Sequence, residues 1–195
     1  MKQIIYFILA LLVTQHSAAQ QIIPLQPFGE GSLRGICVVT DSIVWASGSK
    51  GTVALSTNGG ITWRTLLVKG HEQRDFRDIE AWNENTAIII AVDTPALILK
   101  TTDGGVVWKE VYRNNAPGMF LDAIEFWNEL NGMVIGDPIN GRFFIARTMN
   151  GGESWKSIPE ANAPLADEGE ALFAASGSNI AQFNQQEAVF VTGGK

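Results

Sequence analysis

The sequence predicts an all-β protein, a β-propeller built from four-stranded antiparallel blades, and three observations lead to this prediction. The octamers 56–63, 101–108 and 148–155 share one pattern of hydroxyl residue, any residue, Asx, Gly, Gly, two further residues and Trp, and their tryptophans are 45 and 47 residues apart. Short β-rich runs bounded by Gly, Asn, Asp and Pro precede each octamer. Beyond the N-terminal segment, no stretch sustains the apolar spacing of an amphipathic helix. A period of about 40–50 residues is typical of propeller blades or helical arrays, and the β-rich runs favour the propeller.

Residues 1–19 are predicted to be a secretory signal peptide. Lys2 supplies a positive start, residues 4–13 are apolar and uncharged, and residues 17–19 are small residues before a cut at Gln20. The apolar run is shorter than the roughly 20 residues that span a bilayer as a helix. A buried N-terminal helix and a retained signal anchor remain the alternatives. We therefore expect export to the periplasm or the extracellular space, a lead-in over residues 20–32, and no transmembrane segment after signal cleavage.

Each octamer is predicted to be the hairpin between the third and fourth strands of a blade. The Asx side chain can accept hydrogen bonds from backbone N–H groups two residues on, which forms an Asx turn, and paired glycines allow the positive φ of a tight turn. A tryptophan that packs on the neighbouring blade removes ~150–250 Å² from water. The predicted structural residues are Ser56, Asn58, Gly60, Trp63, Thr101, Asp103, Gly105, Trp108, Thr148, Asn150, Gly152 and Trp155.

The repeats place three blades at about 33–70, 75–113 and 119–159, and an incomplete fourth at 170–195. Closed propellers have roughly 4–8 blades, so we expect residues 33–195 to form part of a ring, as a fragment or a naturally short chain. Such an open arc would leave unpaired strand edges.

The octamers resemble Asp-boxes, the bacterial neuraminidase repeat motif, with Asn replacing Asp at positions 58 and 150 and Val107 replacing a hydroxyl residue. Further segments are similar to the photosystem II assembly and stability factor family of propellers, namely residues 33–36, 44–48, 82–83, 127–128, 136–138 and 169–176. The resemblance covers about residues 30–195. It implies a propeller fold, but Asp-boxes occur both in sialidase-type enzymes and in proteins without catalytic activity.

Charged residues recur where the first strand of a blade starts or the second strand ends, and in a meander these two points lie at the same end of the blade. They predict a mixed-charge, net acidic mouth around the central channel, with ligand-binding candidates Arg34, Arg77, Asp78, Asp122, Asp137 and Glu170. The alternative is that these residues are solvated, or form ion pairs between blades, such as Arg77 with Asp122.

These features predict an exported module, such as an assembly factor, that binds a protein or glycan ligand at the mouth without catalysis. With 14 basic and 20 acidic residues and a net charge of −6, the chain lacks the basic balance of a nucleic-acid binder. One cysteine and, outside the predicted signal peptide, one histidine (His71) argue against a metal site, and no cofactor is predicted.

One alternative function is a sialidase-like glycoside hydrolase, which would use a tyrosine nucleophile and an arginine cluster. Tyr112 is the one tyrosine outside the predicted signal peptide, and Leu121 stands where a third arginine would follow Arg34 and Arg77. A cofactor-dependent oxidoreductase is the other alternative. It lacks motif support, because residues 29–35 do not form the dinucleotide-binding glycine pattern.

Overall fold

The computed structural model of the chain describes residues 31–173, 177–184 and 187–194. The predicted signal peptide (1–19) and most of the predicted lead-in (20–32) lie outside the described residues.

Three four-stranded antiparallel sheets follow one another along the chain, and within each sheet the strands are hydrogen-bonded in sequence order. The first sheet contains β1 (Leu33–Val38), β2 (Val44–Gly48), β3 (Thr52–Ser56) and β4 (Arg64–Leu67). The second contains β5 (Phe76–Ala81), β6 (Ala87–Ala91), β7 (Ala96–Thr101) and β8 (Lys109–Asn114). The third contains β9 (Leu121–Phe126), β10 (Gly132–Ile139), β11 (Arg142–Thr148) and β12 (Lys156–Ser157). These meanders confirm the predicted all-β class of four-stranded antiparallel blades.

The described residues of 171–173, 177–184 and 187–193 form an irregular hairpin after the third sheet, called here the C-terminal hairpin. Its strands are β13 (Ala171–Leu172), β14 (Ile180–Gln182), β15 (Ala188–Phe190) and β16 (Thr192–Gly193), with β13 paired to β16 and β14 to β15. Two short 3₁₀ helices, Glu160–Asn162 and Gly177–Asn179, complete the described elements.

Consecutive sheets pack face to face through three apolar clusters. Trp45, Phe76 and Ile89 belong to the cluster between the first and second sheets. Ile88 and Trp155 belong to the next cluster, and the last joins the third sheet to the C-terminal hairpin. β6 of the second sheet is apolar on both faces and buried throughout, because another sheet covers each of its faces.

The first strands of the sheets lie side by side. β1 packs on β5, β5 packs on β9, and β9 packs on β14 and the 3₁₀ helix at 177–179. Gly35 permits the first of these approaches, because a Cβ there would lie 2.7 Å from Ser47 Oγ and 2.8 Å from the Cα of Asp78. In a β-propeller, strands at this innermost position would line the central channel.

Candidate functional site

Each innermost strand carries a β-bulge at the same place. The pairing register shifts between Leu33 and Gly35 in β1, between Phe76 and Asp78 in β5, and between Leu121 and Ala123 in β9. The extra residues are Arg34, Arg77 and Asp122, three of the predicted mouth residues. A bulge bends its strand and redirects side chains, so these residues do not follow the regular alternation of the sheet.

The innermost strands and the C-terminal hairpin enclose a pocket of about 280 Å³, called here the channel pocket. Its charged lining comes from Arg34 of β1, Asp78 and Glu80 of β5, and Glu125 of β9. The pocket is completed by the helix at 177–179 and by apolar residues of the neighbouring strands. Three sheets thus contribute ionisable groups to one cavity.

Asp78 is the most buried of these acids, with 7% of its surface exposed. Its two carboxylate oxygens accept hydrogen bonds from the backbone N–H groups of Ile79 (2.9 Å) and Ile124 (3.0 Å), so it links the second sheet to the third. Gly177 lies against the same carboxyl group, where a Cβ would not fit. Burial raises the pKa of Asp78 to about 7, and the two N–H donors oppose that rise.

Glu80 and Glu125 are pocket residues that were not predicted from the sequence. Burial and the charges of Asp78 and Glu125 raise the pKa of Glu80 to about 8. Burial also raises the pKa of Glu125. The repeats could have revealed them, since Ile79-Glu80 and Ile124-Glu125 are 45 residues apart, the spacing of the first two octamer tryptophans.

Arg77 and Asp122 form a second buried group beside the channel. They are 7% and 0% exposed, and both Asp122 oxygens and the Arg77 Nε and Nη1 lack hydrogen-bond partners. The guanidinium carbon of Arg77 lies 5.0 Å from the centre of the Phe120 ring, within range of a cation–π interaction. Burial, and then the charge of Asp137, raise the pKa of Asp122 to about 7, while Arg77 opposes the rise.

The remaining predicted mouth residues take part in local contacts. Asp137 accepts a hydrogen bond from the N–H of Leu172 (2.9 Å), which ties the C-terminal hairpin to the third sheet. Glu170 accepts from the Thr192 hydroxyl (2.5 Å) and the Asp167 N–H (2.8 Å). The structure therefore brings Arg34 and Asp78 into the channel pocket. The charges of Arg77 and Asp137 lie close enough to Asp122 to shift its pKa. Glu170 lies in a turn, outside both groups.

The octamers form the hairpin turns between the third and fourth strands. In each, the hydroxyl of the first residue accepts a hydrogen bond from the N–H of the second glycine, at 2.8, 3.0 and 2.9 Å. The Asx oxygen accepts from an N–H four residues on, rather than two as expected from a simple Asx turn. Asp103 also accepts from the Val106 N–H, so the missing hydroxyl at Val107 does not open the turn.

The octamer turns lie at the opposite end of the sheets from the bulges, beside the turns between the first and second strands. In each octamer, the N–H of the first glycine donates to a backbone carbonyl oxygen in the turn between the first and second strands. The acceptors are Ser42 in the first sheet, Asn85 in the second and Leu130 in the third. Trp108 packs edge-on against Trp45 of the preceding sheet, with ring centres 6.5 Å apart. The octamer residues therefore lie in the turns between strands, and Trp108 contacts the neighbouring sheet.

Within the described ranges, no group of three or more His, Cys, Asp or Glu side chains is placed to hold a metal ion. No helix in this part of the chain has the length and apolar character needed to cross a membrane.

No protein-family model and no curated protein matches the sequence. Solved structures do resemble the fold. YCF48 bound to a D1 peptide is 22% identical, with a TM-score of 0.51 over 65% of this chain and 40% of that chain. YCF48 from Cyanidioschyzon merolae is 21% identical, with a TM-score of 0.52 over 69% and 42% of the two chains. The GH74 enzyme of Niastella koreensis is 18% identical, with a TM-score of 0.51 over 67% and 22%.

The chain therefore spans about two fifths of the YCF48 chains that it matches. At these identities the likeness concerns the fold alone, and together with the three meanders it establishes the chain as a β-propeller.

Proposed function

We propose that this chain is an exported Asp-box propeller that binds a peptide segment of a partner protein at the central channel, without catalysis. The observation that carries the proposal is the channel pocket, in which the innermost strands of three sheets place Arg34, Asp78, Glu80 and Glu125 around one cavity. The peptide in the YCF48 complex supports a peptide ligand for a propeller of this kind.

The acids of the pocket favour a ligand with a positive charge. Asp78 and Glu80 have pKa values of about 7 and 8, because burial makes their ionised forms costly. A lysine or arginine side chain entering the cavity would stabilise the ionised carboxylates and lower these pKa values. Arg34 would lie beside the peptide backbone, since its ion pair with Asp75 (3.8 Å) is partly exposed and can exchange partners.

The test uses an array of immobilised decapeptides, probed with the fluorescently labelled protein and followed by calorimetry on peptides that bind. We expect peptides with lysine or arginine to bind, and replacement of that residue by norleucine to abolish binding. The double variant Glu80→Gln/Glu125→Gln should weaken binding at least tenfold. Glu129→Gln, at an exposed acid in the turn between β9 and β10, is the matched control. Equal binding by the double variant, or preference for acidic peptides, would contradict the proposal.

Export is a separate part of this proposal and rests on the pattern of residues 1–19. Mass spectrometry of the protein from a secreting host should show a chain that begins at Gln20. An uncleaved chain retained inside the cell would contradict it.

A glycoside hydrolase is the second candidate, because buried carboxyl groups with raised pKa values in one cavity are a feature of general acids. A panel of fluorogenic glycosides tests it: turnover that Glu80→Gln abolishes would support an enzyme.

A further inference from the structure

Another cavity lies where the connection between the second and third sheets meets the outer strands of the third sheet. It measures about 270 Å³ and is called here the junction pocket. The connection from β8 to β9 contributes Asn114 and Met119 to its lining. The turn between β10 and β11 contributes Asn140, and the segment after β12 contributes Ile158 and Glu160. The walls of the pocket are therefore built from described elements of two consecutive sheets.

The interior of the junction pocket is apolar. Met119 and Phe143 are each 3% exposed, and Ile145 is 7% exposed. Ile139 and Phe144 line the pocket and belong to the apolar cluster between the second and third sheets. An apolar side chain that enters would be removed from water on several sides, which is favourable in proportion to the area covered.

The polar groups of the lining are already bonded within the walls. Asn114 Nδ2 donates to the Tyr112 hydroxyl (3.2 Å), and Asn114 Oδ1 accepts from the N–H of Ala116 (2.9 Å). The Tyr112 hydroxyl also shares a hydrogen bond with Ser157 Oγ (3.1 Å). Arg142 Nη1 donates to a backbone carbonyl oxygen of the segment after β12 (2.6 Å). A polar ligand would have to displace these bonds and an apolar ligand would not, so the pocket favours an apolar occupant.

The junction pocket and the channel pocket open at the same end of the third sheet. This is the end that carries the bulges, where β9 begins and β10 ends, and the bulge residue Arg34 lines the channel pocket. The channel pocket touches β9 through Ile124 and Glu125, whereas the junction pocket touches β11 and β12.

The distance between the two pockets follows from the strand order. The third sheet has the order β9-β10-β11-β12, and hydrogen-bonded strands lie about 4.8 Å apart, so the pockets are separated by ~10–14 Å across the sheet. An extended peptide advances ~3.3 Å per residue and covers this distance in about three or four residues. One short peptide segment can therefore reach both pockets.

We propose that the junction pocket binds an aromatic side chain of the peptide whose basic residue enters the channel pocket. The peptide would cross the bulge end of the third sheet, with its aromatic residue about three or four positions from the basic one. Met119 and Phe144 favour an aromatic over an aliphatic residue, because sulfur–aromatic and ring–ring contacts add to the gain from burial. This inference rests on the peptide site proposed for the channel and adds a second requirement to its ligand.

The test probes are acetylated and amidated decapeptides of glycine and serine that carry one lysine and one phenylalanine. The two residues are placed one to six positions apart, in both orders. By calorimetry on the full chain, phenylalanine at about three or four positions from lysine should strengthen binding at least fivefold over the matched serine peptide. In methyl ¹³C spectra, the signals of Met119, Ile139 and Ile158 should shift, while that of Ile61, exposed in the first octamer, should not.

A matched pair of variants tests the position of the aromatic residue. Ala116→Phe adds a ring to the lining, so it should fill the pocket and remove the gain from phenylalanine. Asn115→Phe adds the same ring at the preceding residue, which is exposed and outside the lining, so the gain should remain. The methyl shifts of the wild-type protein test the proposal without either variant.

N-acetylphenylalanine amide separates this inference from the channel proposal, because it carries no charge. It should shift the Met119 and Ile158 methyl signals equally in the wild type and in Glu80→Gln/Glu125→Gln. Lysine-dependent binding that phenylalanine does not strengthen at any spacing would overturn this inference alone, as would an equal gain in Ala116→Phe. Peptides that bind equally with and without lysine would contradict the channel site, and this inference with it.

Discussion

Replacing Asp122 by Asn should make the stability of the protein less dependent on pH. The Asp122 carboxyl is fully buried. Its pKa is raised from 3.8 to about 7, first by burial and then by the charge of Asp137, while Arg77 and the backbone N–H of Asp137 oppose the rise. At a pH between 3.8 and about 7, Asp122 keeps its proton in the folded state and has released it in the unfolded state. Asp122 therefore lowers the free energy of unfolding progressively as the pH rises from about 4 to about 7.

The size of the effect follows from the pKa values. Each tenfold change in the dissociation constant corresponds to about 1.4 kcal/mol, so full ionisation of Asp122 would cost ~4 kcal/mol at most. Water penetration and side-chain relaxation reduce such costs, and we expect about 2 kcal/mol. Asn is neutral throughout, so the Asn variant should gain about 2 kcal/mol relative to the wild type between pH 5 and pH 8.5.

The assay is urea unfolding at pH 5 and at pH 8.5, followed by tryptophan fluorescence. The difference between the two proteins is the measured quantity, because Asp78 and Glu80 titrate in both and their contributions cancel. Asp41→Asn, at an exposed acid in a surface turn, is the control and should follow the wild type. A variant at position 122 whose pH dependence equals that of the wild type would refute the assignment of Asp122 as a buried acid with a raised pKa.

Three further substitutions test the contacts between sheets. Gly105→Ala should lower the stability more than Gly141→Ala, because both glycines have positive φ but an added Cβ meets a leucine of the first sheet at 2.9 Å only at Gly105. Equal losses in urea unfolding would contradict this packing. Asp103→Ala should lower the melting temperature at pH 7 while Asp103→Asn should not, because the amide oxygen can accept the same N–H bonds; equal melting temperatures would exclude the turn network. Lys100→Met should destabilise the protein, and adding Glu153→Gln to it should cost little more, because the remaining Glu153 ion pair with Lys109 (3.6 Å) is exposed and weak. Additive losses would show that Lys100 and Glu153 act separately.

The fold was predictable because the octamers recur with one spacing and hold one type of turn. Ser56, Thr101 and Thr148 make the same hydrogen bond to the second glycine of each turn, so sequence identity at those positions reports a repeated local structure. Strand order in a meander then follows from chain order.

The site was predictable only in part. Arg34, Arg77 and Asp122 were found as charged residues at strand starts, but a charge pattern does not reveal a bulge, and the bulge decides which side chains enter the pocket. Burial of Arg77 and Asp122 depends on contact between sheets, which a single repeat does not encode. Glu80 was missed because an acid inside an apolar strand resembles an outward-facing residue.

The central claim is that innermost strands from different sheets bring their acids together in one channel. Carboxyl ¹³C chemical shifts, measured across a pH titration, test it at Glu80. We expect a pKa of about 8 for Glu80, and a lower value in Glu125→Gln, because the charge of Glu125 on the neighbouring sheet contributes to the rise. A Glu80 that titrates near 4.5 in both proteins would contradict the claim.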